Sequence, residues 1–325
     1  MKGRISISLI IVSVTCLQAC GPERSQLEPV SSDVVPEGAM LRSLYLDQEA
    51  KGEERALLLY GEELIAHTAR YLGPRGIVAS VTNGMNCQNC HLDAGSRMWG
   101  NNYGGVAANY PKYRDRSGTI ETIYKRVSDC MERSLNGKAM DSASREMQAM
   151  MAYIAWIGKD ISKGTIPNGT GIVPPPNLDR PADPAKGKNV YTAKCQSCHG
   201  ADGAGQLNPD GYEYIYPPLW GPHSYNNGAG LFRLSRFAGY VRDNMPFNQS
   251  SHQSPALKDE ECWDVAAYVN SQPRPAKDLS KDWPDISKKP IDHPFGPYAD
   301  GFSELQHKYG PYEPIIMARK KGSKK

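Results

Sequence analysis

A mostly α chain with one architecture repeated in tandem is what the sequence predicts, on three observations. The first is a pair of Cys-x-x-Cys-His runs, Cys87-Gln88-Asn89-Cys90-His91 and Cys195-Gln196-Ser197-Cys198-His199. The second is that each run follows a segment of helical periodicity and is closed, further on, by another. The third is the Pro- and Gly-rich stretch between the two units. A Cys-x-x-Cys-His run is the attachment signal for c-type haem, in which two thiols bond the porphyrin and the histidine reaches the iron. A zinc site would need further Cys or His at ligand spacing, and a thioredoxin-like pair would need a βαβ context. Neither is visible.

In chain order, Met1 to Ala19 reads as an export signal, with Lys2 and Arg4 before the apolar run Ile5 to Leu17. Its end, Leu17-Gln18-Ala19-Cys20-Gly21, has the form of a bacterial lipobox, with lipid expected on Cys20 and plain cleavage after Ala19 as the alternative. Residues 20–45 read as a tether. The first unit, 46–162, opens with a helix in which Leu57, Tyr60, Leu64, Thr68 and Tyr71 share a face, ended by Gly73-Pro74. A second helix is expected over Thr119 to Asn136 from Ile120, Ile123, Tyr124, Val127, Met131 and Leu135. Arg145 to Ile161 closes the unit, and its Met147, Met150 and Met151 read as core. Residues 163–183 form the linker, partly polyproline II. The second unit, 184–272, has helices starting at Pro184, over Leu231 to Asn244, and over Asp259 to Ser271. Helix, haem motif, ligand loop, helix is the plan of a class I cytochrome c domain, here twice. The tail, 273–325, carries Trp283, Phe295, Tyr298, Phe302 and Tyr309, too many aromatics for a disordered segment, and is expected to wrap over a domain surface.

The composition agrees with this plan. Hydrophobic residues are only 39% of 325, with 25 prolines and 31 glycines, and two porphyrins would supply apolar core that side chains need not. The formal charge is +3, and the signal accounts for two of those charges. About four haem propionates would make the mature protein mildly acidic, and nothing in the composition suggests a nucleic-acid surface.

What fills the iron's open side decides what each haem does. For the second haem the sequence offers Met245, in Asn244-Met245-Pro246, with His223 and His252 as weaker competitors. A thioether raises the potential and suits an electron relay. The first haem has no Met-Pro. Met98, Met131, Met140 and Cys130 lie in range, and Cys130 sits at the stage of the fold that Met245 occupies in the second unit. A disulfide with Cys262 or an inert buried thiol are the other readings of Cys130. Arg126, Cys130 and Ser134 are spaced at i, i+4 and i+8 on one broad helix face, with Arg116 upstream and Arg133 beside Ser134. Guanidinium groups and a hydroxyl around a thiolate suit an oxyanion. A solvated helix face, or contact with haem propionates, is the alternative for the arginines.

The segment Val127-Ser-Asp-Cys130-Met-Glu-Arg-Ser134-Leu-Asn-Gly137 resembles the thiosulfate dehydrogenase family of periplasmic dihaem cytochromes. Leu219-Trp-Gly, Ser224-Tyr-Asn-Asn-Gly-Ala-Gly230, and the tail from Gly296-Pro-Tyr-Ala-Asp-Gly-Phe through His307-Lys-Tyr-Gly-Pro share that resemblance, which covers roughly residues 56–316. It implies that Cys130 ligates the first iron opposite His91, and that Arg116, Arg126 and Ser134 hold substrate. The implied reaction couples two thiosulfates to tetrathionate, in either direction, with electrons passing through the second haem to an external cytochrome or similar acceptor. In some members a lysine before the methionine competes for the second iron. Asn244 stands there, so a constant His199/Met245 pair is expected. A non-catalytic dihaem electron carrier, or a haem subunit of a multienzyme sulfur-oxidising system, are the competing functions.

Overall fold

The structure is a computed structural model that describes residues 49–322. The export signal, Cys20 and the tether lie outside the described residues. The first lobe begins with α1 (Gly52–Ala66) and α2 (Thr68–Leu72). The single helix expected to Tyr71 is broken at His67, whose φ/ψ of −123°/39° is not helical. The break frees the Ala69 N–H, which donates to Asn86 Oδ1 (2.8 Å), while the Cys87 N–H donates to Thr68 Oγ1 (3.0 Å). The interruption therefore fixes the start of the haem motif. Two single turns follow, α3 (Leu92–Gly95) and α4 (Val106–Asn109).

Next comes a hairpin that the sequence did not announce. Strands β1 (Lys112–Arg114) and β2 (Thr119–Glu121) pair antiparallel, with Lys112 opposite Glu121 and Arg114 opposite Thr119. The helix expected from Thr119 starts only at α5 (Ile123–Arg133), because Thr122 adopts an extended backbone and its hydroxyl accepts from Lys125 N (3.3 Å) as N-cap. Ile120, counted in the helical stripe, is instead 71% exposed on the strand. Helix α6 (Arg145–Ile157) closes the lobe, capped by Ser144 and ending at Gly158, short of Ile161. Its Met147 and Met150 are core residues, as expected.

The second lobe repeats the order with α7 (Pro184–Lys194), the short turn α8 (Gln196–His199), a two-stranded pair β3 (Gln206–Leu207) and β4 (Tyr214–Tyr216), then α9 (Leu234–Asn244) and α10 (Asp259–Ser271). Asp183 caps α7, with Pro184 at its first position. The stretch Gly230–Phe232 is a separate 3-10 turn, not the start of α9. The chain is thus two cytochrome c domains in tandem, mostly helical with a few short strands.

One packing device recurs in both lobes. Gly61 of α1 lies so close to α6 that a Cβ there would stand 2.1 Å from Ala149 O and 2.7 Å from Tyr153 Cβ. Gly187 of α7 meets α10 in the same way, 1.9 Å from Asp264 O and 2.9 Å from Tyr268 Cβ. In each lobe, glycine is what lets the first and last helices cross backbone to backbone. Gly61→Ala or Gly187→Ala gains about 1 kcal/mol of helix propensity but must push two backbones apart. A net loss of about 2 kcal/mol is expected, read as a melting temperature lower by several degrees. An unchanged or higher melting temperature would contradict the crossing.

The tail binds both lobes. Helices α11 (Glu304–Tyr309) and α12 (Glu313–Gly322) place Tyr312 and Ile315 in the second lobe's core. Upstream, Asp282 accepts two hydrogen bonds from Arg133 of the first lobe, both 2.8 Å. The linker is held as well: Trp99 N donates to Gly169 O (2.7 Å) and Trp263 Nε1 to Pro176 O (2.9 Å). Between the lobes, Tyr240 Oη donates to Asn89 O (2.8 Å) and Asn83 Nδ2 to Ser224 O (3.0 Å).

Candidate active site

The first haem motif opens onto a cavity of about 300 Å³. Cys87, Cys90 and His91 line it, together with Arg126, Cys130, Met131 and Ser134. The His91 Nδ1–H donates to Asn101 O (2.6 Å), which leaves Nε2 as the free lone pair. Burial lowers the His91 pKa to about 4, so the imidazole is the neutral, metal-ligating form. Tyr103 packs against it, ring centroids 4.6 Å apart. Gly95, at φ +82°, makes room for that ring, because a Cβ would stand 2.1 Å from Tyr103 Cδ2.

Helix α5 supplies the rest. Its Val127 and Met131 are buried in the core, which turns the neighbouring face carrying Arg126 and Cys130 to the cavity. Ser134 follows as C-cap, its N–H donating to Cys130 O (2.8 Å). Among the described residues, no hydrogen bond or ion pair engages the Arg126 guanidinium. Its strongest charge interaction is with Cys130, which holds Arg126 well above the ordinary arginine pKa against the opposing effect of burial.

Arg116 and Arg133 stand differently. Arg116 does not line the cavity. Its Nη1 donates to Gly228 O (2.8 Å), its Nε is 3.9 Å from Asp282, and its guanidinium lies 5.5 Å from the Trp283 ring centre. The expectation that Arg116 faces the site thus meets a side chain tied to the second lobe and the tail. Burial and the nearby Arg133 lower its pKa to about 10, and Asp282 offsets them. Arg133 is bound by the same carboxylate. Sequence reading missed Tyr110, Lys112 and Arg114, which do line the cavity. The available signal was Lys112 and Arg114 at i and i+2, one face of a strand.

The second cavity, about 290 Å³, is lined by Cys195, Cys198, His199 and Met245. The His199 Nδ1–H donates to Pro217 O (2.9 Å), and burial lowers its pKa, repeating the arrangement of His91. Met245 follows α9 in an extended conformation. Asn244 is directed elsewhere, its Nδ2 donating to Trp99 O and Tyr240 O at 3.1 Å each. His223 and His252 do not line this cavity, and His252 stacks on Trp99 at 3.6 Å. Cys130 and Cys262 are both unpaired. Cys262 is a core thiol that burial pushes up to about 12. Cys90 lines both cavities, so the first haem motif forms part of the wall between them.

Two thiols, one neutral imidazole with a free Nε2 and mostly apolar walls fit a c-type haem in each cavity. Comparison with known proteins agrees. The SoxA/TsdA cytochrome c domain matches residues 78–162, and the cytochrome c family matches residues 184–273. A thiosulfate dehydrogenase of Allochromatium vinosum is 39% identical over 219 residues, 66% of this chain and 79% of that protein. The chain belongs to the thiosulfate dehydrogenase family. Another thiosulfate dehydrogenase, from Psychrobacter arcticus, is 41% identical over 209 residues, 63% of this chain and 62% of that protein. Among solved structures, thiosulfate dehydrogenase (TsdBA) from Marichromatium purpuratum in its as-isolated form superposes with a TM-score of 0.67 at 30% identity. That match covers 74% of this chain and 50% of the other. As a thiosulfate dehydrogenase family member, the protein carries two covalently bound haem c groups.

Proposed function

We propose that the chain is a periplasmic dihaem enzyme that couples two thiosulfates to tetrathionate at the first cavity. In this reading Cys87, Cys90 and His91 would hold the first haem, and Cys130 would supply a thiolate to its iron. Cys195, Cys198, His199 and Met245 hold the other, and the protein is anchored to a membrane by lipid on Cys20. The observation that carries the reading is the Cys130–Arg126 pair, a thiol beside a guanidinium that makes no hydrogen bond or ion pair among the described residues, facing the first cavity.

The chemistry divides into an oxidative sulfur–sulfur coupling and a displacement at sulfur. The Cys130 thiolate bonds the sulfane sulfur of the first thiosulfate, giving Cys–S–S–SO₃⁻ and releasing two electrons. Haem held by the residues of the two cavities would supply the acceptor for those electrons, which an external cytochrome or similar protein would receive. The sulfane sulfur of a second thiosulfate then attacks the adduct, releasing tetrathionate and restoring the thiolate. Repulsion is the main obstacle. At 4 Å and an effective dielectric of about 20, each pair of unit charges repels by roughly 4 kcal/mol. Arg126 offsets this where the charges meet, and the Ser134 hydroxyl orients sulfonate oxygens. Arg116 adds positive potential from behind the site, with no direct contact. The test is the purified holoprotein with free thiosulfate and an artificial oxidant. One tetrathionate per two thiosulfates is expected. A protein that only exchanges electrons, or that acts only when a carrier protein is supplied, would overturn the reading.

A further inference from the structure

A reaction that joins two dianions needs two anion subsites, and the sequence pattern around Cys130 accounts for one. We propose that Lys112 and Arg114 of β1, with the Tyr110 hydroxyl, form a second subsite that holds the sulfonate of the incoming thiosulfate. This rests on the thiosulfate reading of the cavity above.

All three residues line the cavity that contains Cys130 and Arg126. The strand sets their direction. Tyr113 and Ile120 form the outward cross-strand pair, 60% and 71% exposed, while Lys112 and Arg114 alternate to the cavity side. Arg114 is aimed by two neighbours. Its Nη1 donates to Tyr110 Oη (3.2 Å), and its Nε lies 3.8 Å from Glu121 Oε2. Lys112 Nζ stands 5.3 Å from the Tyr110 ring centre.

The charge balance is uneven. Glu121, buried at 1% exposure, is the carboxylate that β2 brings to the three cations Lys112, Arg114 and Arg126, and its Oε2 accepts no hydrogen bond in geometry. Burial and repulsion from Arg114 and Arg126 lower the Lys112 pKa, as an excess of positive charge requires. A bound sulfonate relieves that repulsion. Arg116 and Arg133 are not available to hold that sulfonate, because Gly228 O and Asp282 already engage them.

Haem propionates are the other anions these cations could meet, and the test separates the two. Thiosulfate is titrated calorimetrically into electrochemically reduced holoprotein, which cannot release electrons from the substrate. Two thiosulfates per chain are expected for the natural protein, and one for Lys112→Gln/Arg114→Gln. In turnover the double variant raises KM for thiosulfate about tenfold, with a smaller change in kcat, and Arg114→Lys restores part of it. Lys112 is exposed, so Lys112→Gln alone keeps the fold and gives the same direction. Unchanged stoichiometry and KM, or a shifted first-haem potential with binding intact, overturns the subsite. Failure of the natural protein to form tetrathionate would instead remove the underlying reading, whatever the stoichiometry.

Discussion

Cys130→Met is expected to abolish thiosulfate turnover, by at least about 10³-fold, while both haems stay attached. The substitution leaves Cys87, Cys90, Cys195 and Cys198 untouched, so covalent attachment is unaffected. It fills the same position on α5, whose neighbours Val127 and Met131 carry the packing. It removes the thiolate, and a thioether cannot bond the sulfane sulfur and then leave as an anion. If methionine takes the iron position, the first haem's potential rises and the site becomes a second relay. Haem content by absorbance and tetrathionate formation by direct product assay check both halves. Full activity in Cys130→Met would remove the nucleophile from the account.

Arg126→Gln is expected to lower kcat by about 10²- to 10³-fold, the range for loss of one preorganised donor at a site of developing charge. The same change should alter stability little. Arg126 makes no hydrogen bond or ion pair among the described residues, so its removal breaks none, and what is lost is its longer-range attraction to Cys130, Tyr110, Asp129 and Glu121. A structural arginine behaves differently. Arg133, held by two 2.8 Å bonds to Asp282, is the control: Arg133→Gln strips both bonds from a half-buried carboxylate, leaving it only Arg116 at 3.9 Å, and should lower the melting temperature. Paired activity and melting measurements on the two variants decide between a binding and a packing role for Arg126.

What the sequence made legible was local. Two haem motifs, the helices around them and the methionine loop depend on spacing within about twenty residues; each is present, though the helix ends shifted by several residues and the first helix is broken at His67. The Arg126, Cys130 and Ser134 face survived because it depends only on helical period. Three-residue strands carry too little period to be seen, so β2 was read as the start of a helix, β1 was not read at all, and Lys112 and Arg114 went unnoticed. Arg116 lay close to Cys130 in sequence, but its partners Gly228 and Asp282 are more than a hundred residues away. No local pattern records that pairing. The crossings at Gly61 and Gly187 were hidden for the same reason: a glycine inside a helix declares nothing until the opposing backbone is known.

The covalent step is the part of the account most directly open to measurement. Oxidised holoprotein is mixed with a single equivalent of thiosulfate, quenched in acid, digested without reductant and examined by mass spectrometry for the peptide containing Cys130. The account predicts a thiosulfonate on Cys130, absent in Arg126→Gln and discharged to tetrathionate when a second equivalent is added before the quench. An unmodified Cys130 peptide at every time point, from a sample forming tetrathionate at the full rate, would contradict it.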